Sequence, residues 1–425
     1  MASVREIAWN VLNKCEAAGQ YSNLALDSAI KRAQLSSADR GLLTALVYGT
    51  IERRLTLDAC IASLTDRGVR EIAPEVRLLL RMGLYQMAYM DRIPDHAAVN
   101  ETVALAPKRA KGFVNAILRA FARSGKQIPL PERERDPIRY LSVRYSVCEA
   151  LCERFVADFG FSRAEALFGA FDREPPLCVR VNTLRTVREA LMEHWRAAGI
   201  SCEATARSKN GIFVLDKLPV AELYGYAEGL FFVQDEASQL CVAALDAHSG
   251  MRVLDACACP GSKSFGAAID MENNGAVHAC DLHQNKLSLV ESGARRLGIS
   301  ILSTEARDAR THEEAWEGSY DRVLCDVPCS GFGVLAKKPE LRYKDPAESE
   351  RLPEIQAAIL SNAATYVRSG GRLVYSTCTL LPRENEEIVE AFLRGNPMFS
   401  CIESRTLYPD TDGCDGFFYA VLQRD

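Results

Sequence analysis

A chain of 425 residues, 48% hydrophobic and 25% charged, has room for roughly two to four domains with ample core. No apolar run is long enough to span a bilayer, and Arg5 and Glu6 interrupt the first ten residues where a signal peptide would carry its apolar stretch. The formal net charge of −5 argues against a uniformly basic nucleic-acid binder. The charge is unevenly spread, however: residues 1–126 carry 18 Lys and Arg against 12 Asp and Glu, a local +6 that leaves −11 for the rest. Fifteen scattered cysteines suit a cytoplasmic protein with reduced thiols. Cys257-x-Cys259 and Cys325-x3-Cys329 lack the C-x2-C pairs and spaced histidines of a zinc site, so no metal is expected.

Taken in order, residues 3–123 read as helices only. Ile7, Val11, Leu12 and Cys15 share one helical face, as do Leu42, Leu43, Leu46 and Val47, then Val76, Leu79, Leu80, Leu84 and Met87, and finally Phe113, Ala116, Ile117 and Ala120. Ser36 or Ser37 with Asp39, and Pro94-Asp95, are suited to helix starts. Basic residues interleave at Arg53, Arg54, Lys108, Arg109, Lys111 and Arg119, with no cluster of catalytic groups, which favours a binding module over residues 1–125.

Residues 126–175 read as a linker followed by short helices. The linker, Ser124 to Pro137, holds Gly125, Pro129, Pro131 and the run Glu132-Arg133-Glu134-Arg135. The helices fall around Cys148–Asp158 and Ser162–Phe171. Residues 176–240 form a small α+β piece, with strands at 177–181, 211–215 and 229–233 around a helix at 188–198. From 241 to 425 strands and helices alternate. Strands are expected at 252–255, 276–281, 301–304, 321–326 and 371–375, helices at 264–271, 284–297, 354–367 and 384–394, and final strands at 399–402 and 417–422. The alternation predicts a parallel sheet covered on both faces, with ligands bound beyond the carboxyl ends of its strands.

Three strand ends stand out. After Arg252-Val253-Leu254-Asp255 comes a loop of small residues, Ala256-Cys257-Ala258-Cys259-Pro260-Gly261-Ser262-Lys263, open to close approach by a ligand at a helix N-terminus. The next strand ends in Asp281, an acid suited to the two hydroxyls of a ribose. The loop lacks G-x-G-x-x-G, which argues against a dinucleotide. The second strand end is Cys325-Asp326-Val327-Pro328-Cys329-Ser330-Gly331, and the third is Tyr375-Ser376-Thr377-Cys378-Thr379. Two thiols and a carboxylate at one sheet edge have a chemical use. C5 of cytosine is a poor nucleophile until a thiolate adds to C6. A carboxyl group near N3 stabilises the developing charge, and loss of the C5 proton lets the thiol leave. Spacing alone does not choose which cysteine attacks.

Together these motifs resemble those of the RNA cytosine-5 methyltransferases that use S-adenosylmethionine, and the resemblance covers essentially the whole chain. Residues 257–263 are similar to that family's cofactor loop, Asp326-Val327-Pro328-Cys329 to its Asp-x-Pro-Cys motif, and Thr377-Cys378 with Pro382-x-Glu384-Asn385-Glu386 to its Thr-Cys region. Asp415-Gly416-Phe417-Phe418-Tyr419-Ala420 resembles the closing motif; Arg180-Val181-Asn182-Thr183 and Val233-Gln234-Asp235-Glu236-Ala237-Ser238 resemble the lead-in segments. The first 125 residues resemble the NusB-type RNA-binding fold. This combination resembles that of the bacterial small-subunit ribosomal RNA enzymes of the Sun/Fmu type. The resemblance implies a multi-domain protein: an all-α NusB-like bundle, a small α+β subdomain and a Rossmann-like α/β methyltransferase sheet. It implies Cys378 as nucleophile, Cys329 in product release and Asp326 between methyl donor and cytosine. Cys257, Ala258, Cys259, Pro260, Gly261, Ser262 and Lys263 would hold S-adenosyl-L-methionine, with Asp281 on its ribose and Asp308 facing the adenine amino group. The implied partner is small-subunit (16S) ribosomal RNA, free or in a pre-ribosomal particle, without a membrane. The other readings are an RNA-binding assembly factor without catalysis, or the same chemistry on another RNA such as transfer RNA.

Two departures from the family pattern carry expectations. Cys259 and Ser262 stand where Ala and Gly are usual, and Ser262 would cost backbone freedom if its position needed a positive φ. Tyr145-Ser146-Val147-Cys148-Glu149-Ala150 lacks the usual Pro-x-Trp, which puts the seating of the linker helices in question.

Overall fold

The computed structural model describes residues 2–18 and 22–425. The chain divides into two compact units. The first is Met1–Gly169 with Lys338–Asp345; the second is Ala170–Lys337 with Pro346–Asp425. No helix among the described residues is long and apolar enough to cross a membrane.

Among its described residues the first unit holds helices, turns and connecting segments without strands. Its main helices run Val4–Ala18, Ser37–Glu52, Arg54–Ser63, Pro74–Tyr89, Asp95–Leu105 and Lys111–Arg123. Their apolar stripes meet in one core containing Leu12, Leu43, Leu46, Val47, Leu79, Leu80, Leu84, Val114, Leu118 and Phe121. Ser36 caps the second of these helices by accepting the Asp39 N–H at 3.1 Å. The stretch read as a linker ends in a further helix, Pro137–Tyr145, capped by Asp136.

Sequence patterning gave no sign that residues 338–345 belong to this unit. They form a short 3-10 turn, Pro339–Tyr343, whose Arg342 side chain is fully buried. Arg342 donates to the Tyr145 carbonyl at 2.8 Å and pairs with Glu52 at 3.1 Å. The Tyr343 hydroxyl bonds to the Glu52 carbonyl and to Ser146 Oγ (2.8 and 2.9 Å), and the Arg54 guanidinium lies 3.7 Å from the ring centroid. Cys148 N–H donates to the Arg342 carbonyl at 2.8 Å. The segment that departs from Pro-x-Trp is therefore seated by polar bonds from Ser146 and Cys148.

The second unit holds two sheets. The smaller contains β1 Leu177–Val181, β2 Cys202–Ala204, β3 Gly211–Val214 and β4 Phe231–Val233, antiparallel in the order β2-β3-β1-β4. Helix Arg188–Ala197 covers it, with Trp195 fully buried edge-on against Phe231. The larger contains β5 Arg252–Asp255, β6 Ala276–Asp281, β7 Leu302–Ala306, β8 Tyr320–Asp326, β9 Val367–Thr377, β10 Phe399–Leu407 and β11 Phe417–Arg424, in the order β10-β11-β9-β8-β5-β6-β7.

The expectation of a parallel sheet holds for β5 to β9 and is corrected at the end of the chain. β11 is antiparallel to both β9 and β10. Only a short loop joins β10 to β11, and a connection without a helix folds the chain back on itself. Successive strand residues face opposite sides: Val253, Leu324 and Val374 pack with helices Glu236–Leu245, Ser262–Asp270 and Gln284–Leu297, while Leu254, Val323, Cys325 and Leu373 pack with Leu352–Tyr366 and Glu386–Gly395. The strand expected at 301–304 runs two residues further, because Glu305 and Ala306 still pair with Cys280 and Asp281. The helix expected from 384 begins at Glu386, after a separate 3-10 turn Pro382–Glu384 and an Asn385 with φ −118°, ψ −102°. Helix Glu236–Leu245 was not expected; Glu236 and Gln239 are polar yet buried, which blurs its apolar face.

Candidate active site

The order β9-β8-β5-β6-β7 makes the chain leave β5 for β6 on one side and return to β8 on the other. A crevice opens at such a reversal, beyond the carboxyl ends of β5 and β8. The loop after β5 is pinned there from both sides. Ala256 N–H donates to the Leu324 carbonyl at 2.9 Å, and Ala258 N–H to the Cys280 carbonyl at 2.7 Å. Asp281, ending β6, accepts from Cys259 N–H at 3.2 Å and from His283 N–H at 3.0 Å. Gly261 carries the left-handed turn at φ +108°, and a Cβ there would lie 2.6 Å from the Phe265 ring. The positive φ thus falls on Gly261, and Ser262 is simply the first residue of helix Ser262–Asp270, so the expected cost of a serine does not arise. Gln234 Nε2 donates to the Ser262 carbonyl at 3.0 Å, tying one lead-in segment to this helix start.

The thiols of this loop are not activated. Burial, then the Asp281 charge, pushes Cys259 up to about 12, and burial likewise raises Cys257. Beneath the loop lies Asp255, 1% exposed: Oδ2 accepts from Ser264 Oγ at 2.6 Å, Oδ1 has no partner, and burial pushes its carboxyl up to about 7. Asp308 lies two residues past β7. Its carboxylate is taken up by Arg310, with Nη2 at 2.6 Å and Nε at 3.0 Å, and these bonds hold it below the usual carboxylate range.

Asp326, Cys329, Cys378 and Lys263 come together at the ends of β8 and β9. Asp326 Oδ2 accepts from Lys263 Nζ at 2.6 Å and Oδ1 from Ser376 Oγ at 2.8 Å. Burial pushes the Lys263 amine down, but Asp326 outweighs it and holds the amine above its ordinary value. Lys263, read from sequence with the cofactor loop, thus turns its charge toward the carboxylate. The sulfurs of Cys329 and Cys378 lie 3.2 Å apart. The bond to Cys378, then burial, raises the Cys329 thiol well above its ordinary value.

Backbone contacts hold the two cysteine loops in register. Val327 N–H donates to the Ser376 carbonyl at 3.1 Å and Gly333 N–H to the Cys378 carbonyl at 2.9 Å, while Ser330 Oγ bonds to Thr379 Oγ1 at 2.7 Å. Gly416 N–H donates to the Gly333 carbonyl at 2.8 Å. A Cβ on Gly333 would lie 1.9 Å from the Gly416 carbonyl, so the closing motif packs backbone to backbone on the cysteine loops. Lys337 Nζ bridges Asp235 and Asp415 at 2.5 and 2.8 Å, joining the lead-in and closing segments.

Glu384 Oε2 accepts from the Ser330 N–H and from Gln356 Nε2, both at 2.9 Å; sequence reasoning missed Ser376, Asp255, Lys337, Gln356 and Glu384. Ser376 and Glu384 lie inside the motifs that carried the resemblance, and Asp255 ends the first strand. Gln356 and Lys337 had no local signal.

Comparison with known proteins adds the following. Residues 242–423 match a family model described as 16S rRNA methyltransferase RsmB/F, residues 2–123 match the NusB family, and residues 149–221 match a ferredoxin-like domain of RsmF/B-like methyltransferases. The chain is 39% identical to a probable ribosomal RNA small subunit methyltransferase B of Bacillus subtilis, covering 99% of both chains. It is 34% identical to a protein of the same description from Synechocystis, covering 100% of both. The crystal structure of PH0851 superposes with a TM-score of 0.83 at 24% identity, covering 100% of this chain and 99% of that one. The crystal structure of NSun6 from Pyrococcus horikoshii with SFG has a TM-score of 0.57 at 21% identity, covering 64% of this chain and 97% of that one.

Proposed function

Because the chain belongs to the 16S rRNA methyltransferase RsmB/F family, we propose that it transfers a methyl group from S-adenosylmethionine to C5 of a cytosine in small-subunit ribosomal RNA, through a covalent bond between Cys378 and C6. The observation that carries this reading is the meeting of two thiols 3.2 Å apart with a carboxylate that a buried lysine holds.

The residues present fit the methyl donor. The loop 256–263 is free of bulk, and it leads into a helix whose first amides have no partner one turn back. A carboxylate has about four lone-pair positions. Asp281 spends two on backbone N–H groups, which leaves two for a ribose diol. Cys257, Ala258, Cys259, Pro260, Gly261, Ser262 and the backbone of Lys263, whose amine is held by Asp326, would cradle the remainder, and Asp308 would reach the adenine amino group once Arg310 swings aside. When bound, S-adenosylmethionine supplies an electrophilic methyl group.

The rest is the work of the chain's own side chains. Cys378 adds to C6 as a thiolate, and the electron pair displaced from the ring gathers toward N3. Both oxygens of Asp326 accept hydrogen bonds, so Asp326 acts as a carboxylate. The proton that N3 needs passes from the Lys263 ammonium across the 2.6 Å bond through Asp326. C5 is then nucleophilic. After it is methylated, the C5 proton passes to solvent water, the C6–S electron pair returns to Cys378 as a thiolate, and the N3 proton goes back through Asp326 to the Lys263 amine, which restores the aromatic ring and the starting charges. Cys329, touching Cys378, is placed to serve this release. RNA affinity is assigned to the NusB-like helices, whose stretch of the chain carries the net positive charge, with free RNA or a pre-ribosomal particle as the partner.

The test is denaturing gel electrophoresis of variants with labelled RNA and S-adenosylmethionine. Cys378→Ala should give no covalent adduct and no turnover while still binding S-adenosylmethionine. Cys329→Ala should methylate and then stall as an adduct. An adduct from Cys378→Ala and none from Cys329→Ala would reverse the roles. Intact bisulfite protection of 16S RNA from a deletion strain would refute the ribosomal substrate.

A further inference from the structure

Asp281 and Asp308 stand at the ends of neighbouring strands, since β6 and β7 pair in parallel and the Arg307 N–H donates to the Asp281 carbonyl at 2.9 Å. Beyond Arg307 the chain runs through a turn, 308–313, that belongs to no strand or helix. Within it the Thr311 N–H donates to the Asp308 carbonyl and the Arg310 N–H to Asp308 Oδ1, both at 2.9 Å. The carboxylate is thus directed by its own backbone, as in an Asx turn. A second set of bonds comes from helix Leu352–Tyr366. Asn362 Nδ2 donates to the Ala309 carbonyl at 2.7 Å and to the Thr311 carbonyl at 3.1 Å. Two carbonyls call for a donor, so the amide nitrogen faces the turn and Oδ1 faces away from it. Oδ1 accepts from the Tyr366 hydroxyl at 3.2 Å, and that hydroxyl accepts the Glu313 N–H at 2.9 Å.

The Ala309 carbonyl and the Arg310 N–H belong to one peptide unit, which is a rigid plane. Asn362 grips one end of that plane and Asp308 Oδ1 takes the other. A hydrogen bond at the carbonyl also polarises the unit and strengthens its N–H as a donor. The Arg310 guanidinium, which covers the Asp308 carboxylate, has to leave before an adenine amino group can be met. The Arg310 backbone N–H stays, and with it the direction of Oδ1. Helix propensity does not ask for asparagine at position 362, where alanine or leucine would serve the helix better. We propose that Asn362 is a positioning residue for donor specificity: by fixing the 309–310 peptide it aims the Asp308 carboxylate at the 6-amino group of the adenine. The proposal rests on the reading of Asp308 as the acceptor for that group. It adds how a carboxylate in an irregular turn keeps its direction, through a side chain 53 positions further along the chain.

The experiment is calorimetry of the full chain, without RNA, against S-adenosylhomocysteine and its 6-deamino analogue, in which hydrogen replaces the amino group. The Asp308 side chain is 31% exposed, so its bond to the amino group falls at the low end for a charged acceptor, and the unaltered protein should prefer the amino compound about tenfold. Asp308→Ala should bind the two compounds equally. Asn362→Leu, close in volume but without donors, and Asn362→Ala, the variant that suits the helix best, should each cut the preference to about threefold or less. Tyr366→Phe releases the Glu313 N–H in the same turn but leaves the 309–310 peptide held, so it should keep the preference within about twofold of the unaltered value. A full preference in either Asn362 variant overturns the proposal. So does an equal fall in Tyr366→Phe, because general loosening of the turn would then explain the loss. A full preference in Asp308→Ala, or none in the unaltered protein, refutes the adenine reading of Asp308 and the proposal with it, a failure recognised without any Asn362 variant.

Discussion

Replacing Lys263 with methionine separates two roles that the sequence merges. The amine bonds Asp326 at 2.6 Å, and the Lys263 side chain is only 10% exposed. Losing one hydrogen bond between charged groups costs about 1.5–3 kcal/mol. Asp326 keeps its bond to Ser376 at 2.8 Å, so it stays in place while the proton source for N3 is gone. If that loss is felt in the transition state, the rate falls about tenfold to 150-fold. Cys378 also loses its nearby cation, which disfavours its thiolate. The rising limb of the pH–rate profile should therefore move toward alkaline pH. Lys263 itself does not produce that limb, because Asp326 holds it above its ordinary value and it stays charged over about pH 6 to 9. The assay is single-turnover methyl transfer at saturating S-adenosylmethionine across that range, with the affinity for S-adenosylmethionine measured by calorimetry. Affinity should hold within about threefold, because Nζ is bonded to Asp326 rather than to the loop. Lost affinity with an unchanged saturated rate would return Lys263 to the cofactor loop and refute the relay.

Asp255→Asn should flatten the pH dependence of stability. The folded carboxyl is pushed up to about 7, above its unfolded value near 4, so the native state binds more protons between those values and stability falls as pH rises through them. The whole shift has a ceiling of about 4 kcal/mol, of which about 2.7 kcal/mol falls between pH 5 and pH 8, read as the drop in urea midpoint over that range. Equal drops in the variant and the unaltered protein would sink this account. Arg342→Met removes the guanidinium from Glu52 and from the Tyr145 carbonyl, while Glu52 keeps the longer Arg53 contact at 3.7 Å. Removing one partner of a buried pair costs about 3–5 kcal/mol, but Glu52 is 29% exposed, so about 2–3 kcal/mol is expected. That lowers the Tm of the helical unit by roughly 5–10 °C in calorimetry; a change under about 1 °C would mean that the guanidinium is not structural.

Much of the sheet was legible because period-two apolar runs ending in acids or small residues are local signals. β5, β6 and helix Gln284–Leu297 stand at the expected bounds. Legibility failed where long-range bonds replaced local pattern. Residues 338–345 carry Lys338, Glu340, Arg342 and Lys344 among few apolar residues, yet Arg342 is buried by partners about two hundred and three hundred positions away. A cut within the Pro-rich linker would divide this unit for the same reason. A chain begun at Pro137 would keep Arg342 and Tyr343 but discard Glu52, the Ile51 carbonyl and Arg54, which hold them.

The site shows the same division between local and distant determinants. Small residues at 256–263 announce an open loop, and cysteines after β8 and β9 announce a chemistry, because each follows a strand. The groups around the two thiols come from separate elements: Lys263 from the helix after β5, Asp326 from the end of β8 and Glu384 from beyond β9, each brought in by the sheet order. Gly333 and Gly416 act in the same way. Neither needs a positive φ; each is small because the other's backbone lies where its Cβ would stand. A motif therefore fixes which groups meet, while the charges that assign their roles are set by the packing of several strands.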